Sequence, residues 1–171
     1  MMVNIRQMSM DDLETVQAID KLSFSLPWPA NAYRHELTQN PSSLCRVAEV
    51  ASYSGMLLVV GMAVVWLVVD EAHIATLAVH PDFRRQGIAR QLLARLLLES
   101  IKKGMIRALL EVRRNNLAAQ ALYAQFGFTI AGRRKNYYHD NNEDALLMNL
   151  DRMDTPYLGW LEDMLDVWAN E

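Results

Sequence analysis

Three observations predict an α/β domain built on a mixed sheet. Short β-branched or alternating segments fill the middle of the chain, and segments of 3.6-residue period follow them. The order of segments reads β-α-α-β-β-β-α-β-α-β-β, and the uneven connections require both strand directions. The chain has 171 residues, which is the length of one domain, and its 51% hydrophobic and 22% charged residues are ordinary for a globular fold.

Residues 3–7 alternate and form a first strand. Ser9 then caps a helix, with Asp12 three residues later as in a capping box, and Leu13, Val16, Ile19 and Leu22 supply its buried face. Residues 24–29 (FSLPWP) make a proline-broken loop, residues 31–39 a second short helix and residues 40–43 a turn. Two strands, 44–51 and 56–69, flank the hairpin signal Ser52-Tyr53-Ser54-Gly55. The second is a run of 14 residues interrupted by Gly61; a membrane span needs about 20, so it is expected to be a buried strand. Residues 73–80 form another strand, stopped by Pro81. The period then becomes helical through Ile88, Leu92, Leu93, Leu96, Leu97 and Ile101, and Lys102-Lys103-Gly104 closes that helix. Residues 106–112 are a strand. Asn115 or Asn116 caps a helix buried through Ala119, Leu122, Tyr123 and Phe126, and residues 128–133 and 145–150 are the last strands.

The tail differs from the rest. Thr155-Pro156 looks like an N-cap followed by proline at the first helical position. Apolar residues at 157, 158, 160, 161, 164, 165, 167 and 168 demand a partner surface, either the domain itself, a second copy or another protein. The chain divides on this basis into a domain of residues 1–150 and an amphipathic helical extension of residues 151–171. The extension carries six acids and one arginine, whereas residues 1–150 are mildly basic.

Composition narrows the function. The net charge is −3, against the strong positive charge of chains that grip nucleic acid. One cysteine and four scattered histidines leave no disulfide framework and no expected metal site. No leader or membrane-spanning segment is visible, so the expected location is the cytoplasm.

The chemistry concentrates at Leu77-Ala78-Val79-His80-Pro81-Asp82-Phe83-Arg84-Arg85-Gln86-Gly87-Ile88-Ala89, where a strand ends, turns and opens a helix. Free amides at a helix start favour an anion, Gly87 and Ala89 let it approach, and Arg84 and Arg85 add charge, so a pyrophosphate suits the turn. The same six residues also fit a helix that merely needed a glycine. The segment Arg84–Ala89 matches the (Gln/Arg)-x-x-Gly-x-(Gly/Ala) signature of GNAT-type N-acetyltransferases. Leu110-Glu111-Val112-Arg113-Arg114-Asn115-Asn116, Ala121-Leu122-Tyr123, Phe126-Gly127-Phe128, Arg134-Lys135-Asn136-Tyr137-Tyr138 and Glu143-Asp144-Ala145 resemble the RimI branch of that family, over roughly residues 3–150.

The resemblance implies a GNAT fold, a central, mostly antiparallel sheet flanked by helices, with acetyl-CoA as cosubstrate and no metal. It implies that Leu77, Ala78 and Val79 hold the pantetheine arm. It implies also that Arg84, Arg85, Gln86, Gly87, Ile88 and Ala89 hold the pyrophosphate and that Asn116 touches the cofactor. Glu111 would be the general base and Tyr123 the general acid. Leu26 and Trp28, in a loop similar to the Phe-Pro-Trp of RimI-like enzymes, and Tyr137 and Tyr138 would hold the acceptor. RimI-type enzymes acetylate the N-terminal alanine of a small-subunit ribosomal protein, so a protein or peptide N-terminus is the expected acceptor.

The chemistry is consistent with those roles. An attacking amine must lose a proton, and a departing thiolate gains one. Glu111 lies in an apolar strand, where partial desolvation is expected to raise its pKa. On residue type alone, a glutamate near a strand end points to water and a tyrosine on an apolar helix face is core. The register of both with the family pattern favours catalysis. A lysine or small-molecule amine acceptor, and a module that binds acyl-CoA without turnover, remain as alternatives.

Overall fold

The computed structural model describes residues 2–169. Its strands are β1 (Val3–Gln7), β2 (Ser43–Ala51), β3 (Leu57–Val68), β4 (Glu71–Val79), β5 (Arg107–Arg113), β6 (Thr129–Arg134) and β7 (Ala145–Leu150). Its α-helices are α1 (Leu13–Ser23), α2 (Ala32–Thr38), α3 (Ile88–Lys102), α4 (Leu117–Gln125) and α5 (Thr155–Ala169). All seven strands form one sheet in the order β1-β2-β3-β4-β5-β7-β6. Neighbours are antiparallel except β4 and β5, which run parallel because α3 carries the chain back between them.

Several boundaries differ from the pattern reading. β4 starts at Glu71, where it already pairs with Val68 of β3 and Arg107 of β5. β5 starts at Arg107, and Ile106 before it is half exposed. The buried stripe of α1 contains Leu13, Val16 and Ile19 and continues through Asp20, so Leu22 faces solvent at 56% exposure. A 3-10 turn at Met10–Asp12 precedes α1; the Ser9 N–H donates to Asp12 Oδ2 at 2.7 Å, and Arg6 forks onto the same carboxylate. Thr155 is not the cap of α5. Asp154 is: its carboxylate accepts from the Tyr157 N–H at 3.1 Å, and its carbonyl accepts from the Leu158 N–H. Asn116 caps α4 by accepting from the Ala119 N–H.

Helices cover both faces at the centre of the sheet, while β6 at its edge is largely exposed. On one face, α3, α4 and α5 bury Leu93, Leu96, Leu97, Tyr123, Phe126 and Leu161 against Ala63, Val65, Ile74, Leu110 and Met148. On the other, α1 and α2 bury Val16, Ile19 and Tyr33 against Val47, Met62, Val64 and Ala78. The fit of α3 is close at Gly61, where an added Cβ would stand 3.1 Å from Leu92 Cδ1. A bulge interrupts the ladder of β3 with β4, since Val64 pairs with Thr76 and Val65 with Ile74. Ala75 is the extra residue. Ala72 and Ile74 before it belong to the α3 face and Ala78 after it to the α1 face, so the alternation of β4 inverts there.

Candidate active site

The bulge coincides with a parting of strands. β4 and β5 pair only from Glu71 opposite Arg107 to Ile74 opposite Leu110; residues 75–79 and 111–113 then diverge. Beyond the parting, β4 pairs with β3 alone among the strands. The His80 N–H donates to the Val60 carbonyl, and ladder alternation then turns the N–H groups of Leu77 and Val79 away from β3, into the opening.

Two cavities meet at this wedge. One, of about 650 Å³, lies on the α3 face; it is lined by Leu77, Ala78, Val79, Arg84, Arg85, Gly87, Ile88, Ala89 and Asn116, together with Arg90 and residues of α4. The second, of about 200 Å³, is lined by Leu26, Trp28, Glu111, Tyr123 and Tyr138, with Arg113 beside them. Phe24, Leu77, Asn116 and Ala119 line both, so a molecule in the first can present an end to the second. Gln86 does not line the larger cavity, because its amide turns back onto the Asp82 carbonyl. Tyr137 lies outside the smaller one, edge-on against Tyr138 at 5.1 Å.

The turn before α3 is conformationally unusual. Arg85 and Gly87 both have left-handed backbone, at φ 63° and 80°. A Cβ on Gly87 would meet nothing within 4 Å, so the conformation, not protein crowding, asks for glycine there. The strain at Arg85 is of the kind found where a loop is held for a ligand. Arg84 is partly committed to the protein: its Nε donates to the Val79 carbonyl at 3.0 Å and its Nη2 to Ser23 Oγ at 3.2 Å, tying the end of α1 to β4.

The two candidate proton-transfer groups approach from opposite faces. Glu111 Oε2 lies 2.7 Å from His73 Nε2, and His73 packs edge-on against Trp66 on the α1 face. Tyr123 is 8% exposed and belongs to the cluster on the α3 face. Burial pushes its phenol up to about 12, so it carries its proton at neutral pH. Glu111 departs from the sequence expectation. The hydrogen bond with His73 outweighs the burial of the carboxyl and holds it below the usual glutamate range.

A family model described as "Acetyltransferase (GNAT) family" matches residues 13–128. The chain belongs to the GNAT acetyltransferase family. It is similar to the Escherichia coli K12 protein named ribosomal protein bS18-alanine N-acetyltransferase, at 34% identity over 160 residues, covering 87% of this chain and 97% of the relative. A Bacillus subtilis relative, provisionally named for the same activity, is 37% identical over 148 residues, with 84% and 92% covered. The crystal structure of the E. coli enzyme superposes with a TM-score of 0.76 over 90% of this chain and 96% of that one. Ard1 from Thermoplasma volcanium superposes at 0.78 and 29% identity, with 89% and 99% covered.

In this acetyltransferase, the residues that brace the smaller cavity escaped the sequence reading. Asp20, 1% exposed, accepts from the Trp28 N–H at 2.7 Å, and Trp28 stacks on Tyr33 and Trp66 at 4.9 and 5.9 Å. Arg113 donates to Asp140, Glu143 and Ser25 Oγ, and its guanidinium lies 3.9 Å from the centre of the Tyr138 ring. It thereby joins the 24–29 loop to the 135–144 loop over the smaller cavity. The only sequence signals were the polar residues of the second loop and the arginine after Glu111-Val112. Among the described residues, no group of three or more His, Cys, Asp or Glu could hold a metal ion, and no helix is long and apolar enough to cross a membrane.

Proposed function

We propose that this acetyltransferase moves the acetyl group of acetyl-CoA onto the N-terminal α-amine of a protein or peptide, a ribosomal protein being the first candidate. One observation carries the reading. Glu111 and Tyr123 reach a single cavity from opposite faces of the sheet, at the point where that cavity opens into the long groove. The nucleotide arm lies on the α3 face, along Leu77–Val79, the turn at residues 84–89 and Asn116. The acceptor enters from the α1 face, past Leu26, Trp28 and Tyr138. Leu77 N–H donates to the thioester oxygen, where charge builds as the amine attacks. Glu111 takes the proton that the amine nitrogen gives up on forming the new C–N bond, directly or through one water. Tyr123 supplies a proton to the sulfur as the C–S bond breaks.

The weak basicity of Glu111 favours an α-amine as acceptor. A carboxylate held below its usual range is a weak base and needs an amine that is already partly neutral. An α-amine titrates at about 7.7–8.0 and a lysine at about 10.4, so at pH 7 roughly 10–20% of the former is neutral and almost none of the latter. The names of the E. coli and B. subtilis relatives support the same acceptor class. The test is a pair of matched peptides beginning with alanine or serine, one with a free N-terminus and blocked lysine, the other the reverse. The first is expected to be acetylated much faster. Faster acetylation of the second overturns the reading in favour of a lysine or polyamine acceptor.

A further inference from the structure

We propose that Trp168, near the end of α5, is a positioning residue for the acetyl-CoA groove: it holds Arg90 ready for the cofactor's phosphates. The inference rests on the reading that acetyl-CoA occupies that groove, but not on the identity of the acceptor.

The argument starts from how α5 lies on the domain. Leu161 is fully buried, and Met164, Leu165 and Trp168 pack against the cluster that holds Leu93, Leu96 and Leu97 of α3. Near its start, the Tyr157 hydroxyl donates to the Phe126 carbonyl at 2.8 Å. Glu162 lies 3.9 Å from Lys102 at the C-terminal end of α3, and Trp168 lies over Arg90 in its first turn. The helix therefore runs antiparallel to α3 and delivers its last turn to the end of α3 where the anion-binding loop sits.

Arg90 is three residues beyond the left-handed Gly87 that caps α3, and it lines the larger cavity with Arg84 and Arg85. Arg84 already donates to Val79 and Ser23, so it cannot turn its whole fork to a ligand. The Arg90 guanidinium carbon lies 4.4 Å from the centre of the Trp168 ring. Stacking of this kind uses the face of the guanidinium and leaves its N–H edge outward, where phosphate oxygens bind. An exposed arginine loses much rotamer freedom when it grips an anion, and an arginine already stacked on an indole has lost part of it beforehand. Trp168 thus acts on affinity through Arg90 without touching the cofactor.

The experiment is calorimetric titration of the full-length protein and its W168A, W168F, R90A and R90A/W168A variants. The probes are CoA and the phosphorylated ADP half of CoA, which lacks the pantetheine arm. W168A is expected to weaken both about three- to tenfold, W168F to stay within about twofold of wild type, and W168A to add nothing in the R90A background. Unchanged CoA affinity in W168A, a loss confined to the arm-bearing probe, or a full additional loss in the R90A background overturns the proposal. Wild-type protein that binds CoA but acetylates no peptide N-terminus sinks the acceptor reading and leaves this one standing.

Discussion

The two sides of the wedge are made in different ways. The proposed cofactor side is mainly backbone. Amides of β4 face the opening, a left-handed turn presents the start of α3, and most of its residues lie within thirteen consecutive positions. The proposed acceptor side is mainly side chains, each held by a partner in another element: Trp28 by Asp20 of α1, Glu111 by His73 of β4, Tyr138 by Arg113 of β5. A backbone site tolerates side-chain change but not a change of conformation. A side-chain site fails when a supporting partner is removed, even one that never meets substrate.

Substitutions on the two sides should therefore separate in what they disturb. The largest effects are expected from Glu111→Gln and Tyr123→Phe, each lowering kcat by about 10²–10⁴ while leaving CoA affinity unchanged. Near-normal turnover in both at neutral pH, measured by steady-state kinetics, removes the proton-transfer assignment. Next is Arg113→Ala, which removes the guanidinium that ties the two loops over the smaller cavity and leaves the direct Ser25–Asp140 hydrogen bond. It should lower kcat/KM for peptide by up to about 10² through misplacement of the acceptor, again with CoA binding intact. Gly87→Val should do the reverse. A β-branched residue in left-handed backbone costs on the order of 1–2 kcal/mol, so CoA affinity should fall roughly tenfold, while Gly87→Asn should cost less. Equal CoA affinity in glycine and valine forms, read by calorimetry, breaks the contrast.

The smallest effect concerns His73→Ala. With its hydrogen bond gone, Glu111 should titrate higher, toward the usual glutamate value of about 4.3, in a carboxyl NMR titration. The sign for stability follows. A depressed folded pKa stabilises above the unfolded value and loses that contribution as pH falls through the folded one. The difference in Tm between wild type and His73→Ala should thus be greatest above about pH 4.3 and shrink in more acid solution.

The same contrast explains what the sequence could say. Strands, helices, the mixed sheet and the turn at residues 84–89 were legible because each is written in a contiguous pattern, of period two, of 3.6, or of a glycine at a helix start. Glu111 and Tyr123 were singled out by their register with a family pattern, and the structure brings both to the smaller cavity. The raised pKa expected for Glu111 was wrong. The strand composition reported its burial, but the histidine that reverses the effect lies 38 residues earlier, on the neighbouring strand. Asp20 reads as one more polar residue of an amphipathic helix, and nothing nearby says that it is buried beneath Trp28. Thr155-Pro156 signalled a helix start correctly and misplaced its cap by one residue, because Asp154 offers a capping oxygen too.

The parting of β4 and β5 leaves two raw strand edges inside the sheet instead of at its margin. An ordinary margin invites any extended chain to add itself, and sheet proteins guard against it with charge or curvature. Here the guard is enclosure, since the loops at 24–29 and 135–144, tied by Arg113, narrow the approach from one side, and α3 and α4 line it on the other. A slender chain with amide groups along it, as a pantetheine arm is, can slip into such a slot and pair with β4 as a missing neighbour would. On the proposed reading, the fold puts a hazard of β architecture to use, with the cosubstrate's arm as the strand's missing neighbour.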